Sequence, residues 1–204
     1  MIAIIDYGMG NIGSVKNAVT CLGYEAIITK DKKDVENATQ IILPGVGAFT
    51  DGMKNLIEMG FIDILNNEVL AKGKPFLGLC LGMQVLADIG EEGGMTRGLG
   101  WIKGKVRKFR VNEKIFKIPH VGWNDVIPKK ESILFRNVTQ PIFYFVHSYH
   151  FEPTDKSVIS AEAEYGEKFT AAVEKNNIFG LQFHTEKSQR EGLKVLENFL
   201  SLTR

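Results

Sequence analysis

The residues best suited to covalent chemistry are a cysteine between glycines and, near the other end of the chain, a histidine two residues before a glutamate. Cys80 lies in Gly-Leu-Cys-Leu-Gly (78–82), which follows the apolar residues 75–77 and precedes a helix-like stretch, 83–87. A nucleophile flanked by glycines between a strand and a helix is typical of a nucleophile elbow, a turn in which larger flanking side chains would clash. Such a turn holds the thiol in the open, and the positive end of the helix favours the thiolate.

A matching base and orienting group stand at His184 and Glu186. The mostly apolar run 179–183 predicts a strand, and side chains along a strand alternate between its two faces. His184 and Glu186 are therefore expected on one face, with Thr185 on the other. Because a thiol needs a base for its proton, and the base needs a group that fixes its tautomer, we predict a triad of Cys80, His184 and Glu186.

The elements around these residues predict an α/β fold. Apolar strands and helices alternate in the first part of the chain: strands 2–6, 24–29 and 40–43, and helices 12–22, 32–37, 53–59 and 62–70. Continuous apolar strands separated by helices are typical of a parallel sheet that is covered on both faces. The elbow follows at the carboxyl end of the next strand, where open α/β sheets place their sites.

From about residue 99 the strands become shorter and are joined by turns. They are predicted at 103–110, 115–118, 143–148, 158–163 and 169–175, and a helix is predicted at 188–202. We interpret the strands as an antiparallel, mixed extension of the same sheet. The basic residues within 103–110 are interpreted as a solvated face.

Length, composition and charge exclude several classes of protein. With 204 residues and 44% hydrophobic residues, the chain is expected to form one globular domain. The 25 basic and 24 acidic residues give no electrostatic reason to expect nucleic acid or an anionic membrane as a partner. The start of the sequence resembles a strand rather than a signal peptide, and two cysteines make no disulfide framework, so we expect a cytoplasmic protein. Cys21 is predicted to be a buried structural residue.

A dinucleotide-binding loop is the main alternative from another class of protein. Gly8-Met-Gly-Asn-Ile-Gly13 matches the GxGxxG fingerprint directly after the first strand, and Asp31 follows the second strand. That interpretation leaves Cys80, His184 and Glu186 without a role, so we rank it below the triad.

Together the motifs resemble the triad, or class I, glutamine amidotransferases. The resemblance runs through nearly the whole chain and rests on residues 6–11, Ser14, 43–49, 73–75, 78–84, 119–124, 144–149 and 182–184. It implies one glutamine amidotransferase domain over residues 1–204. The implied fold is flavodoxin-like, with a central, mostly parallel sheet, helices on both faces and an antiparallel extension.

The resemblance also implies a reaction and a set of binding residues. Cys80 would attack the side-chain amide of glutamine and release ammonia, without a cofactor or metal. The backbone N–H groups of Val46 and Leu81 would form the oxyanion hole. The implied substrate-binding residues are Gly47, Gln84, Ser148 and Tyr149.

A partner that uses the ammonia is implied as well. The members most like this chain work as a heterodimer with a (β/α)8 barrel cyclase, and the positions expected at or near that interface are Asn11, Trp123, Tyr144 and Lys187. The family usually has proline where this chain has Thr185. Related glutaminases supply ammonia for other acceptors, such as sugars, and a γ-glutamyl or peptide hydrolase could use the same triad, so those alternatives stay open.

Overall fold

Strands and helices alternate through the first 84 residues of the computed structural model, which describes residues 1–129 and 132–203. Helix α1 begins where the Asn11 side chain accepts a hydrogen bond from the Ser14 N–H, as helix-capping residues do. The elements of this part are β1 (Ile2–Ile5), α1 (Ile12–Cys21), β2 (Ala26–Thr29), α2 (Lys32–Asn37), β3 (Gln40–Gly45), α3 (Phe49–Glu58), α4 (Phe61–Leu65), β4 (Phe76–Cys80) and α5 (Leu81–Gln84).

The rest of the described chain is mostly strand and closes with a helix. Its strands are β5 (Ile89–Gly90), β6 (Thr96–Arg97), β7 (Gly104–Lys108), β8 (His120–Pro128), β9 (Ile142–His147), β10 (Tyr149–Pro153), β11 (Ile159–Glu164), β12 (Lys168–Lys175) and β13 (Ile178–Leu181), followed by α6 (Gln189–Leu200).

The main sheet brings the three segments that carry predicted site residues to one edge. Its order is β2-β1-β3-β4-β13-β12-β11-β8-β9, and the strands from β2 to β13 are parallel. Gly45 pairs with Cys80, and Leu79 pairs with Leu181. Because parallel strands end at the same edge, the loop after β3, the elbow after β4 and the residues after β13 meet there.

Both faces of the parallel strands are covered, as the sequence predicts. Side chains alternate between two clusters, so that Ile4 packs on one face and Ile5 on the other. The first face is covered by α1 and α6, through residues such as Val19 and Phe199. The other is covered by α3 and α4, through residues such as Leu56. The prediction of an α/β fold with helices on both faces is confirmed.

The antiparallel extension differs from the prediction in one respect. Strands β12, β11, β8 and β9 do extend the main sheet, but β7 and β10 belong to a second sheet of order β10-β7-β5-β6. The chain leaves the main sheet at a bend at Ser148, between β9 and β10. The interpretation of the basic stretch as a solvated face is wrong for Arg107, whose side chain is buried and paired with Glu167 and Glu152.

Three smaller expectations are also corrected. Residues 115–118 form no strand, and the predicted helix 62–70 is instead α4 followed by a π-helical segment, Asn66–Ala71. Cys21 is exposed, because it lies two positions beyond Val19 and so points away from the buried face of α1.

No helix in the described ranges is long and apolar enough to cross a membrane.

Candidate active site

The turn after β4 has the geometry of a nucleophile elbow. Cys80 adopts a φ of 52° and a ψ of −106°, a conformation that L-residues rarely occupy outside strained functional turns. A Cβ on Gly78 would overlap the carbonyl group of Gly82, and a Cβ on Gly82 would overlap that of Leu43. The flanking glycines therefore allow the strand, the helix and β3 to approach closely. Contrary to the expectation of an open thiol, Cys80 is only 6% exposed.

The loop after β3 lies beside the elbow. Gly47 has a φ of +110°, which favours glycine, and the Val46 N–H has no hydrogen-bond partner among the described residues. Leu81 is the first residue of α5, so its N–H lacks a partner within the helix. Two unpaired N–H groups thus flank the nucleophile on neighbouring segments.

Tyr7 packs against Gly45 at the end of β3. Its ring is fully buried, and its hydroxyl has no hydrogen-bond partner in the described part of the chain. A Cβ on Gly45 would overlap that hydroxyl, so the phenol lies directly against the loop backbone. Burial and, secondarily, the charge of Cys80 raise the pKa of Tyr7 well above its usual value, so the phenol is neutral.

His184 and Glu186 meet, but on a different element from the one predicted. Strand β13 ends at Leu181, and residues Thr185–Lys187 form a 3-10 turn. His184 Nδ1 lies 2.9 Å from Glu186 Oε1, and both side chains are buried. The two groups are therefore brought together by a tight turn, and the expected strand alternation is wrong.

The electrostatics of this cluster favour the protonated form of His184. Burial opposes protonation of His184, but the nearby Cys80 and the hydrogen-bonded carboxylate of Glu186 outweigh it and raise the pKa of His184 to about 10. The imidazole is thus cationic beside the thiol. Its Nε2 makes no close hydrogen bond among the described residues, which is common before a substrate brings catalytic groups together.

Two glutamine side chains connect the thiol to the segment 148–149, which the sequence predicts to bind the substrate. Gln182 Nε2 lies 3.6 Å from Cys80 Sγ, and Gln84 Nε2 lies 3.1 Å from Gln182 Oε1. Gln84 also donates to the Tyr149 carbonyl oxygen at 2.9 Å. Sequence reasoning assigned no role to Gln182, although it lies two residues before His184 in the same motif.

Cys80 and Gln84 line a cavity of about 310 Å³. The sequence-predicted residues Val46, Gly47, Cys80, Leu81, Gln84, Ser148 and Tyr149 all contribute to its wall. Glu92, which sequence reasoning missed, is the charged side chain in the lining. Its Oε2 accepts the Phe49 N–H at the start of α3, which fixes the carboxylate. Within residues 1–129 and 132–203, no His, Cys, Asp or Glu cluster is arranged to hold a metal ion.

Comparison with known proteins decides the family. Residues 3–202 match the family model for glutamine amidotransferase class-I. The chain belongs to this family. The sequence-based prediction of a glutamine amidotransferase, and hence of an enzyme, is confirmed.

Curated relatives of this amidotransferase carry a more specific name. The chain is 51% identical over 201 residues to imidazole glycerol phosphate synthase subunit HisH 2 of Methanococcus maripaludis, with 98% of each chain covered. It is 48% identical over 203 residues to subunit HisH 1 of Campylobacter jejuni, with 99% of this chain and 100% of that protein covered.

Solved structures agree on the amidotransferase fold. PurLQS from Thermotoga maritima superposes with a TM-score of 0.75 at 20% identity, over 100% of this chain and 98% of that one. A glutamine amidotransferase crystal structure gives 0.74 at 21% identity, over 100% and 99%. At these identities the likeness shows the fold.

In this amidotransferase the dinucleotide-like motif has a structural explanation that involves no nucleotide. A Cβ on Gly10 would lie 3.1 Å from Gly45 Cα, so the loop packs against the end of β3 beside the elbow. Asp31 caps α2 by accepting the Lys33 N–H. The fingerprint is therefore explained by backbone packing and helix capping.

The four expected interface residues lie near the amidotransferase triad. Trp123 and Tyr144 are opposite each other on β8 and β9, with ring centres 6.1 Å apart, and Lys187 Nζ lies 5.6 Å from the centre of the Tyr144 ring. Asn11 lines a small crevice with His184. Trp123 is 47% exposed, so its ring is at the surface.

Tyr144 is hydrogen-bonded directly to the backbone of His184. Its carbonyl oxygen accepts the His184 N–H at 3.0 Å, and its N–H donates to Ser188 Oγ at 2.9 Å. The Ser188 hydroxyl in turn donates to the His184 carbonyl oxygen at 2.5 Å. Both backbone polar groups of His184 are thus fixed to β9. Thr185, at the position where the family usually has proline, is fully buried.

Proposed function

We propose that this protein is the glutaminase subunit of imidazole glycerol phosphate synthase, in histidine biosynthesis. It hydrolyses glutamine and passes ammonia to a (β/α)8 barrel cyclase, with which it forms a heterodimer. The carrying observation is that His184, hydrogen-bonded to Glu186, lies close to the elbow of Cys80 and to two unpaired N–H groups. The near full-length similarity to HisH subunits supports this acceptor pathway. Two free thiols suit a cytoplasmic location.

In the proposed mechanism, the Cys80 thiolate attacks the side-chain amide carbon of glutamine. The Val46 and Leu81 N–H groups stabilise the tetrahedral oxyanion. His184 donates its proton to the amide nitrogen, so that the C–N bond breaks and ammonia leaves a γ-glutamyl thioester. His184 then takes a proton from water, which attacks the thioester and releases glutamate and the thiolate. Glu186 holds the imidazole in position throughout.

The Glu92 carboxylate in the cavity wall gives the first prediction. Glu92 is expected to pair with the α-ammonium group of glutamine, so Glu92→Gln should raise KM by about 10–100-fold, the range for losing a charged hydrogen bond. The amide oxygen can still accept the Phe49 N–H, which preserves the start of α3. Steady-state glutamine hydrolysis by the complex measures the change. Glutaramate, which lacks the amino group, serves as control substrate, and an unchanged KM for glutamine would reject the role.

The proposed partner surface is the outer face of β8 and β9. It carries exposed apolar residues around the Trp123–Tyr144 pair, including Val121 and Ile142. Aromatic residues of this kind are common anchors of protein interfaces. Because Tyr144 holds the His184 backbone, a partner that contacts its ring touches the segment that carries the base.

The second prediction concerns activation by that partner. The chain alone is expected to be nearly inactive, because the peptide between Gly45 and Val46 must turn to place the Val46 N–H in the oxyanion hole. One missing oxyanion donor lowers the rate by about 10²–10³-fold. Gly47→Ala, which strains a φ of +110°, should lower the partner-activated rate by a similar factor.

Glutamine turnover by the chain alone, with the barrel cyclase, and with cyclase plus its phosphoribulosyl substrate measures both effects. Gly13→Ala is the matched control, because Gly13 lies in α1 and no atom lies within 4 Å of an added Cβ. Full activity of the chain alone would contradict partner gating but leave the triad standing. Formation of imidazole glycerol phosphate identifies the acceptor, and its absence with active glutamine hydrolysis would favour a paralogous acceptor.

A further inference from the structure

Buried histidines next to the glutamine cavity form a chain of hydrogen bonds. His147 is the last residue of β9 and lines the cavity. Its Nδ1 lies 2.8 Å from the Tyr149 carbonyl oxygen, and its Nε2 lies 3.1 Å from His120 Nδ1. His120 Nε2 lies 3.4 Å from the side-chain nitrogen of Asn124. We call His147, His120 and Asn124 the histidine network.

Only one arrangement of protons satisfies these contacts. The Tyr149 carbonyl oxygen can only accept, so Nδ1 of His147 carries the proton, and Nε2 of the neutral ring must accept. His120 then donates from Nδ1 and accepts the Asn124 amide N–H at Nε2. Burial lowers the pKa of His120 to about 4 and that of His147 well below its usual value, so both rings are neutral.

Aromatic packing fixes both rings in place. His120 is stacked between Tyr165 and Phe145, with ring centres 4.0 and 5.1 Å away. His147 packs against Phe109 at 5.0 Å. The network is therefore rigid, and its last donor points to a single backbone atom.

That backbone atom belongs to the bend that forms one wall of the cavity. The Tyr149 carbonyl oxygen accepts from both His147 and Gln84, and the Ser148 carbonyl oxygen accepts the Phe109 N–H at 3.1 Å. The bend is thus held on its buried side. The Ser148 hydroxyl has no hydrogen-bond partner among the described residues, and Ser148 lines the cavity.

We propose that His147, held in its Nδ1–H tautomer by His120 and Asn124, is a positioning residue that fixes the 148–149 bend for glutamine binding. The inference rests on the proposed function, in which Ser148 and Tyr149 bind the substrate. These residues contact the non-reacting part of glutamine, so a misplaced bend weakens the binding of glutamine equally in the ground state and in the transition state. Such a loss raises KM and leaves kcat nearly unchanged.

The kinetic test uses His147→Phe, which keeps an aromatic ring and removes the donor. KM for glutamine in the partner complex should rise about tenfold, the equivalent of one lost hydrogen bond, with kcat within about twofold. His147→Asn, whose amide nitrogen can reach the Tyr149 carbonyl oxygen, should restore most of the affinity. His120→Phe should raise KM in the same direction by less.

His150→Phe is the matched control. His150 is buried in the same aromatic cluster, 4.9 Å from Phe109, but its ring nitrogens have no hydrogen-bond partner in the described ranges. The His150→Phe variant should leave the KM for glutamine unchanged. An equal rise in KM for His150→Phe, an unchanged KM for His147→Phe, or no rescue by His147→Asn would overturn the proposal.

A second measurement does not depend on activity. NMR spectra of the ring nitrogens in ¹⁵N-histidine-labelled protein should show His147 and His120 neutral and protonated at Nδ1. Protonation of either ring at Nε2 alone would overturn the network. If the wild-type complex failed to hydrolyse glutamine while these tautomers were observed, the proposed function would fail and the network would stand.

Discussion

Replacement of the nucleophile, Cys80→Ala, is expected to abolish glutamine-driven synthesis by the complex while ammonia-driven synthesis continues. The thiolate forms the only covalent bond to the substrate in the proposed mechanism, so the glutaminase rate should fall by at least about 10⁴-fold. The acceptor reaction takes place on the partner and needs only ammonia. The expected result is therefore a selective loss.

The measurement compares synthase activity with glutamine and with an ammonium salt. Cys21→Ala is the control for loss of a thiol, because Cys21 is exposed at the end of α1. Substantial glutamine-driven activity in Cys80→Ala would show that the elbow is not the site of attack. Loss of both activities would indicate that the variant no longer assembles with its partner.

The second large effect is expected at the base. His184→Ala should lower the glutaminase rate about as much as Cys80→Ala, because thiolate formation and both proton transfers depend on the imidazole. Glu186→Gln should lower it by a smaller factor, since an orienting group contributes less than the base it holds. The glutamine side chain can still accept the His184 Nδ1–H, which lies 2.9 Å from Glu186 Oε1.

Steady-state glutaminase rates of the two variants in the partner complex decide the order. A larger loss for Glu186→Gln than for His184→Ala would mean that Glu186 does more than orient the ring. The pKa of His184, about 10 in the native site, should fall when the Glu186 carboxylate is removed, because that charge stabilises the imidazolium.

The elbow could be predicted from sequence because its determinants are local. Gly78 and Gly82 are required because an added Cβ would overlap the backbone of Gly82 and of Leu43 on the adjacent strand. A glycine in the sequence already indicates such a close approach. His184 and Glu186 were paired correctly but on the wrong element. A turn of 3-10 helix and the end of a strand can both bring residues i and i+2 together, and apolar periodicity does not distinguish them.

Residues that enter the site through long-range packing could not be predicted in this way. Glu92 lines the cavity because it meets the start of α3, more than forty positions earlier in the sequence. His147 and His120 lie within ranges that carry the family resemblance, but their contact depends on the pairing of β8 with β9. The second sheet was missed because the bend at Ser148 contains neither glycine nor proline to mark a change of direction.

The link between Tyr144 and His184 has a consequence for selective inhibition. Compounds that mimic glutamine act at an elbow and triad that a whole family of enzymes shares, so they discriminate poorly among those enzymes. A compound that binds over Trp123 and Tyr144 could instead shift β9 and, through the bonds of Tyr144 to His184 and Ser188, withdraw the base from the thiol. Its specificity would come from the surface of this subunit, and added glutamine would not compete with it.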